Sequence, residues 1–280
     1  MGKELAKFDK GCLKNIETTI KDYQEKGMIN FPSDYSVSNA LKSAWLVLQK
    51  TLDRNKAPVL NACTKESISN CLMHTIIGGL SPAKNQIYYI AYGKELTPMR
   101  SYHGTKAMLK RIKNVIDVNA EVIFEKDKID YLIVNGVKSI REHKQDFINI
   151  DTAKIIGAYA VIEYKDKEGQ IKYYTEIMNK KQIDVAWSKS KSPGTQKEFP
   201  EEMSKRTVIN RAAKHFVNTS DDSDLFIKTF YETSGDTFEE NVETIDAEVS
   251  EEVKENQSKQ TIEINDNEKI ESPAEEEEPF

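Results

Sequence analysis

From Ile87 to Lys113 the chain interleaves aromatic and cationic residues without a break: Ile87-Tyr-Tyr-Ile-Ala-Tyr-Gly93, then Lys94-Glu-Leu-Thr-Pro-Met-Arg-Ser-Tyr-His-Gly104, then Thr105-Lys-Ala-Met-Leu-Lys-Arg-Ile-Lys113. Aromatic faces stack on unpaired bases of any sequence, and cations beside them track phosphates. The chemistry on offer is therefore non-covalent: holding a nucleic-acid strand. Tyr88, Tyr92, Arg100, Tyr102, His103, Lys106, Lys110, Arg111 and Lys113 are the candidate contacts. At about 100° per residue, Lys106, Lys110 and Lys113 of the expected helix fall within about 60° of one another. Thr105, Met108, Leu109, Ile112 and Val115 take the opposite side, so apolar packing would turn the lysines outward together. The competing reading is an ordinary solvated helix face beside half-buried strand tyrosines.

A second cationic set lies further along. Pro200–Val217 reads as a helix, with Pro200 suited to the first turn and Glu201 and Glu202 complementing its positive end. Val208, Ile209, Ala212, Ala213, Phe216 and Val217 make its apolar stripe. Arg206, Asn210 and Lys214 share one flank with Arg211 beside them, and Lys205 must snorkel from nearer the stripe. The preceding segment from Trp187 to Lys197 reads as a loop in which Trp187, Lys189 and Lys191 could clamp a strand. Alternatively, Trp187 closes a helix against the core and the lysines of both segments are solvated or paired with acids.

Covalent chemistries find fewer residues. Asp151, Glu163 and Lys165 mimic the carboxylate–lysine pattern of a Mg²⁺-dependent nuclease, which is the rival from another class. The four histidines, His74, His103, His143 and His215, have no partner at metal-ligand spacing. His74 reads as a packing histidine. No Gly-x-x-x-x-Gly-Lys-Ser/Thr phosphate loop exists, so ATP-driven strand exchange has no residues to run it. No cofactor is expected, although a divalent ion such as Mg²⁺ could assist strand pairing. Cys12, Cys63 and Cys71 form neither a CxxC nor an even framework, so neither a zinc module nor a disulfide scaffold is expected.

The elements that must position these residues follow from periodicity and punctuation. Residues 3–26 read as a helix, either a mobile arm or a packing helix. Helices follow at Val37–Asp53 and Lys65–Ile77, the latter stopped by Gly78-Gly79. Strand-like runs occur at Asp117–Phe124, Ile129–Val134, Ile155–Tyr164 and Ile171–Met178, the last two forming a hairpin across Asp166–Gly169. A helix returns at Lys180–Trp187. The expected class is α+β: an antiparallel sheet flanked by helices, bearing a basic DNA-binding groove and a disordered C-terminal tail.

Charge is segregated along the chain. The net of −6 conceals a segment from Glu232 to Phe280 with 18 acidic and 3 basic residues, leaving residues 1–231 at +9. A basic core over 1–231, with 1–30 as a possible arm, and an acidic tail over 232–280 suit a polyanion binder carrying its own competitor. If the tail folds back on the groove, its removal should tighten DNA binding. The tail ends Glu275-Glu-Glu-Glu-Pro-Phe280, similar to the acidic tip of bacterial single-strand-binding proteins. Pro279 and Phe280 are thus candidate partner contacts, set against a merely solubilising tail. With no apolar leader or membrane-length run, the expected compartment is cytoplasmic.

Five blocks taken together resemble the RecT family of phage and prophage single-strand annealing recombinases. They are Phe31–Ala40, Gly79–Gly93, Ser101–Gly104, Ala186–Lys191 and Glu202–Lys214, in the family's order across about residues 30–225. The resemblance implies ATP-independent pairing of complementary DNA strands, self-association into rings or helical filaments, and a partner phage exonuclease. Host single-strand-binding protein, or the enzymes that dock on it, are further partners to consider. A passive single-strand-binding protein remains the third reading.

Overall fold

The computed structural model describes residues 8, 10–31, 35–112, 114–188, 193–220 and 223–234. The described residues all fall within one compact unit. The acidic tail beyond Ser234, and with it Pro279 and Phe280, lies outside the described residues.

The N-terminal half of this unit is helical. Helix α1 (Lys10–Glu25) buries Cys12, Ile16 and Ile20, so its described residues form a packing helix. Helix α2 (Val37–Lys50) starts where the Ser36 hydroxyl accepts a bond from Asn39 N–H. After the single turn α3 (Val59–Ala62), helix α4 (Lys65–Ile77) is capped by the Thr64 hydroxyl and stops at Gly78-Gly79. Gly79 has φ +62°, open to glycine at little cost. These helices share a core with Tyr89, Ala91 and Leu96 of a hairpin, β1 (Ile87–Tyr92) and β2 (Glu95–Arg100).

Helix α5 (Tyr102–Leu109) follows, capped by Ser101. It is shorter than the sequence suggests, ending at Lys110, with Val115 already opening strand β3 (Val115–Phe124). The long edge strand claims residues that helical periodicity had assigned to a last turn. Lys113 is outside the described residues.

The antiparallel strands form separate sheets rather than one. Strand β3 pairs with β6 (Ile155–Lys165), which pairs with β7 (Ile171–Asn179). Between them, β4 (Lys128–Val134) and β5 (Val137–Lys144) make their own hairpin. Asn135 and Gly136 both have positive φ in its turn, the conformation that suits a two-residue hairpin. On the three-stranded sheet, Val118, Val122, Ala158, Ala160 and Ile162 are buried against Val208, Ile209, Ala212, Ala213 and Val217 of α8 (Pro200–Asn218). Alanine on both sides lets helix and sheet approach closely. Helices α6 (Lys180–Ser188), α7 (Pro193–Glu198) and α9 (Asp224–Glu232) complete this lobe. Helix α7 forms where a loop was expected, and the buried core runs on through Thr233 and Ser234.

Candidate nucleic-acid interface

The 3₁₀ turn Pro82–Lys84 ends at Asn85 in the left-handed region, φ 53°. The turn is braced to α5. Ser101 Oγ donates to the Asn85 carbonyl (2.7 Å), and Ser101 N–H to the Gln86 carbonyl (3.1 Å). Gly104 lies so close that a Cβ there would sit 2.1 Å from the Gln86 carbonyl oxygen and 2.5 Å from Arg100 Cγ. Only glycine permits this approach. It brings Lys84 beside His103, Lys106 and Lys110 around an open pocket of about 380 Å³, which Asn85, Gln86, Ala107 and Asp117 complete.

The charge here is largely unspent. Lys110 bonds Asp117 at 2.7 Å, and that bond holds the Asp117 carboxyl below its ordinary range. Lys84 and Lys106 have no carboxylate partner among the described residues. On the neighbouring hairpin Tyr88 is 48 % exposed. Half-buried Tyr102 leans on the His103 ring, centroids 4.0 Å apart. Partial burial, then Glu202, push its hydroxyl pKa up, with Lys205 and Tyr88 also nearby. Tyr92 shares Tyr88's face of β1, about 13 Å further along at the rise of a strand, where Arg54 lies 5.7 Å from its ring.

Other sequence candidates are spent inside the molecule. Arg100 is only 2 % exposed and is not a surface cation. It donates to the Phe230 carbonyl (2.6 Å), Thr233 Oγ1 (2.8 Å) and Thr105 Oγ1 (2.9 Å), and lies 4.0 Å from the Phe230 ring centroid. Thr105 Oγ1 in turn donates to Asn210 Oδ1 (2.8 Å), so Asn210 is buried where α5 crosses α8. Arg111 is also a brace: it donates to the Ile77 (2.7 Å) and Asn30 (2.8 Å) carbonyls and faces the rings of Phe31 and Phe226. It joins the helical half to the sheet half.

The α8 cations follow the same pattern. Lys205 pairs with Glu121 (2.8 Å) and Glu201 (3.1 Å); burial opposes its charge, but the two carboxylates more than offset this and raise its pKa. Arg206 donates to the Ser234 carbonyl (2.9 Å). Arg211 reaches Glu176 (3.5 Å), which Lys138 also contacts (3.2 Å). Lys214 is half-exposed on the same helix. Trp187 packs on the core and donates to Thr207 Oγ1 (2.9 Å), with Lys180 over its ring, which matches the packing alternative. Lys189 and Lys191 lie outside the described residues.

The sequence model of the RecT family matches residues 38–256, a span that holds both cationic sets. The chain belongs to the RecT family. Membership places this RecT protein in single-strand annealing recombination of the phage type, among proteins that bind single-stranded DNA and associate with copies of themselves. No curated protein shows significant similarity to it.

The RecT fold leaves the nuclease pattern unassembled. Asp151 accepts from Ala153 N–H just before β6, whereas Glu163 faces Asp117 and Tyr173 near that strand's far end. The eight steps from Ile155 to Glu163 put Glu163 about 26 Å, at the rise of a strand, from the end of β6 that Asp151 precedes. Among the described residues no cluster of three or more His, Cys, Asp or Glu could hold a metal ion. Nor is any helix there long and apolar enough to cross a membrane. His74 behaves as a packing histidine: it contacts Thr229 Oγ1 (3.1 Å), and burial, then Lys228, lower its pKa to about 4. The residue that sequence reasoning missed is Lys84. Its one legible signal is its place before the left-handed Asn85, which turns the chain back towards α5.

Proposed function

We infer that this RecT protein anneals complementary DNA strands without nucleotide, holding one strand along the strip of Lys84, His103, Lys106 and Lys110. The carrying observation is this cluster of accessible lysines with His103, beside Tyr88 and Tyr102, in a chain of the annealing family. Phosphates would follow the lysines, and an exposed base would stack on Tyr88. With bases left accessible, an incoming strand samples register. Pairing then supplies about 1.4 kcal/mol per stacked step, so no hydrolysis is required.

The protein in this reading is not an enzyme, uses no metal or cofactor, and works in the cytoplasm. It acts on single strands made by a phage exonuclease, with Pro279 and Phe280 available to host single-strand-binding protein or the enzymes that dock on it. The test is annealing of two fluorescent complementary oligonucleotides without ATP, with a non-complementary pair alongside and strand integrity checked on a gel. Faster pairing of intact matched strands is expected. Binding with no acceleration would reduce the protein to a passive single-strand binder.

A further inference from the structure

The β4–β5 hairpin buries little of its own apolar surface. Tyr131, Ile133, Val134 and Val137 around its tip are each half or more exposed. The hairpin shares no ladder with the larger sheet, so β4 is an open edge ending in four consecutive apolar residues, Tyr131–Val134. A two-stranded hairpin is marginal alone, and an apolar open edge is a template for another chain.

The hairpin is nonetheless firmly mounted. His143 on β5 contacts Asp127 Oδ2 (3.0 Å) and Tyr159 Oη (3.2 Å), and Gln145 donates to the same carboxylate (3.0 Å). Lys138 pairs with the buried Glu176 of β7. These polar clamps hold β5 at its base, through His143 and Gln145, and near the turn, through Lys138, and leave Tyr131, Ile133, Val134 and Val137 exposed. At the base, the turn after β5 carries Phe147 and Ile148, 86 % and 88 % exposed, the most exposed large apolar residues described. The two patches are separated by the hairpin's length, about 23 Å for seven residues.

Two unlike apolar patches at opposite ends of one rigid element suit a head-to-tail contact. We propose that the hairpin tip of one copy docks on the Phe147–Ile148 turn of the next, making β4–β5 the self-association element of this chain. The occupant is a second copy because the family self-associates and both patches lie on the same chain. The inference rests on that membership and not on which residues meet DNA.

The test uses two full-length variants, a tip variant (Ile133→Asp with Val137→Asp) and a turn variant (Phe147→Asp with Ile148→Asp), with mass followed by analytical ultracentrifugation. The parent is expected to form assemblies, and each variant alone to sediment near one chain, 32.0 kDa. Mixed, the variants should give a species of two chains, because each keeps the patch the other lacks. Unchanged melting temperature and circular dichroism exclude misfolding. Assemblies that persist in either variant, a mixture that stays monomeric, or a parent that is itself monomeric with and without DNA would overturn the proposal. Assembly intact but affinity for single strands lost would assign the tip to DNA and overturn it equally. Annealing, measured separately, reports on the basic strip.

Discussion

Helices α5 and α8 carry similar rows of cations in the sequence, yet they put them to different uses. Helix α8 lies across the three-stranded sheet, where Glu121 and Glu176 arrive from the strands and Ser234 from the end of the core. Its row is therefore largely a set of struts. Helix α5 is short, buries Thr105, Met108 and Leu109, and rests its first turn on the loop before β1. Among the described residues its lysines pair with one carboxylate, Asp117, and Lys84 joins them from that loop. Spacing of cations along a helix says where charge is; carboxylates from distant strands decide whether it is available.

The strongest way to break the contrast is to remove the brace beneath it. Arg100→Ala leaves the Phe230 carbonyl and the Thr105 and Thr233 hydroxyls short of a buried donor and should cost about 3 kcal/mol of stability by urea unfolding. A change near zero would mean that Arg100 is not a strut. Gly104→Ala should cost about 2 kcal/mol, because the Gln86 carbonyl must move away, and should weaken strand binding by displacing His103 and Lys106. Retained stability with full binding would show that the close approach does not position the strip.

Smaller changes sharpen the comparison. Asn210→Ala removes the acceptor for Thr105 and should lower stability by about 1 kcal/mol while leaving the affinity of the folded protein for oligo-dT unchanged. A matching loss of affinity would return Asn210 to the DNA surface. Asp117→Asn should do the reverse: it releases Lys110 from an exposed pair worth under about 1 kcal/mol to stability and tightens single-strand binding roughly threefold. Weaker binding would mean that the Lys110–Asp117 pair positions Lys110 usefully as it stands.

Local signals made part of this legible. Helix α4 was stopped by Gly78-Gly79, and α8 was announced by Pro200 and its alanine-bearing stripe. Strand β5 was not read, because Lys138, Arg141, Glu142 and Lys144 mask its alternation, even though Asn135-Gly136 signals its turn. Among the site residues, the outward lysines of α5 followed from apolar packing on the other side. The inward fate of Arg100, Asn210 and Arg111 did not, since their partners Phe230, Thr105 and Asn30 lie far along the chain. Lys84 escaped because its place depends on one left-handed residue.

The central claim, that DNA follows α5 and not α8, is tested most directly by the salt dependence of single-strand binding, read by fluorescence anisotropy. Each lost phosphate contact lowers the slope of log K against log salt by about 0.7 for single strands. Lys84→Ala with Lys106→Ala should flatten the slope by about 1.4, and Arg211→Ala with Lys214→Ala should leave it near the parent's. A flattened slope in the α8 pair, with the α5 pair unchanged, would contradict the account.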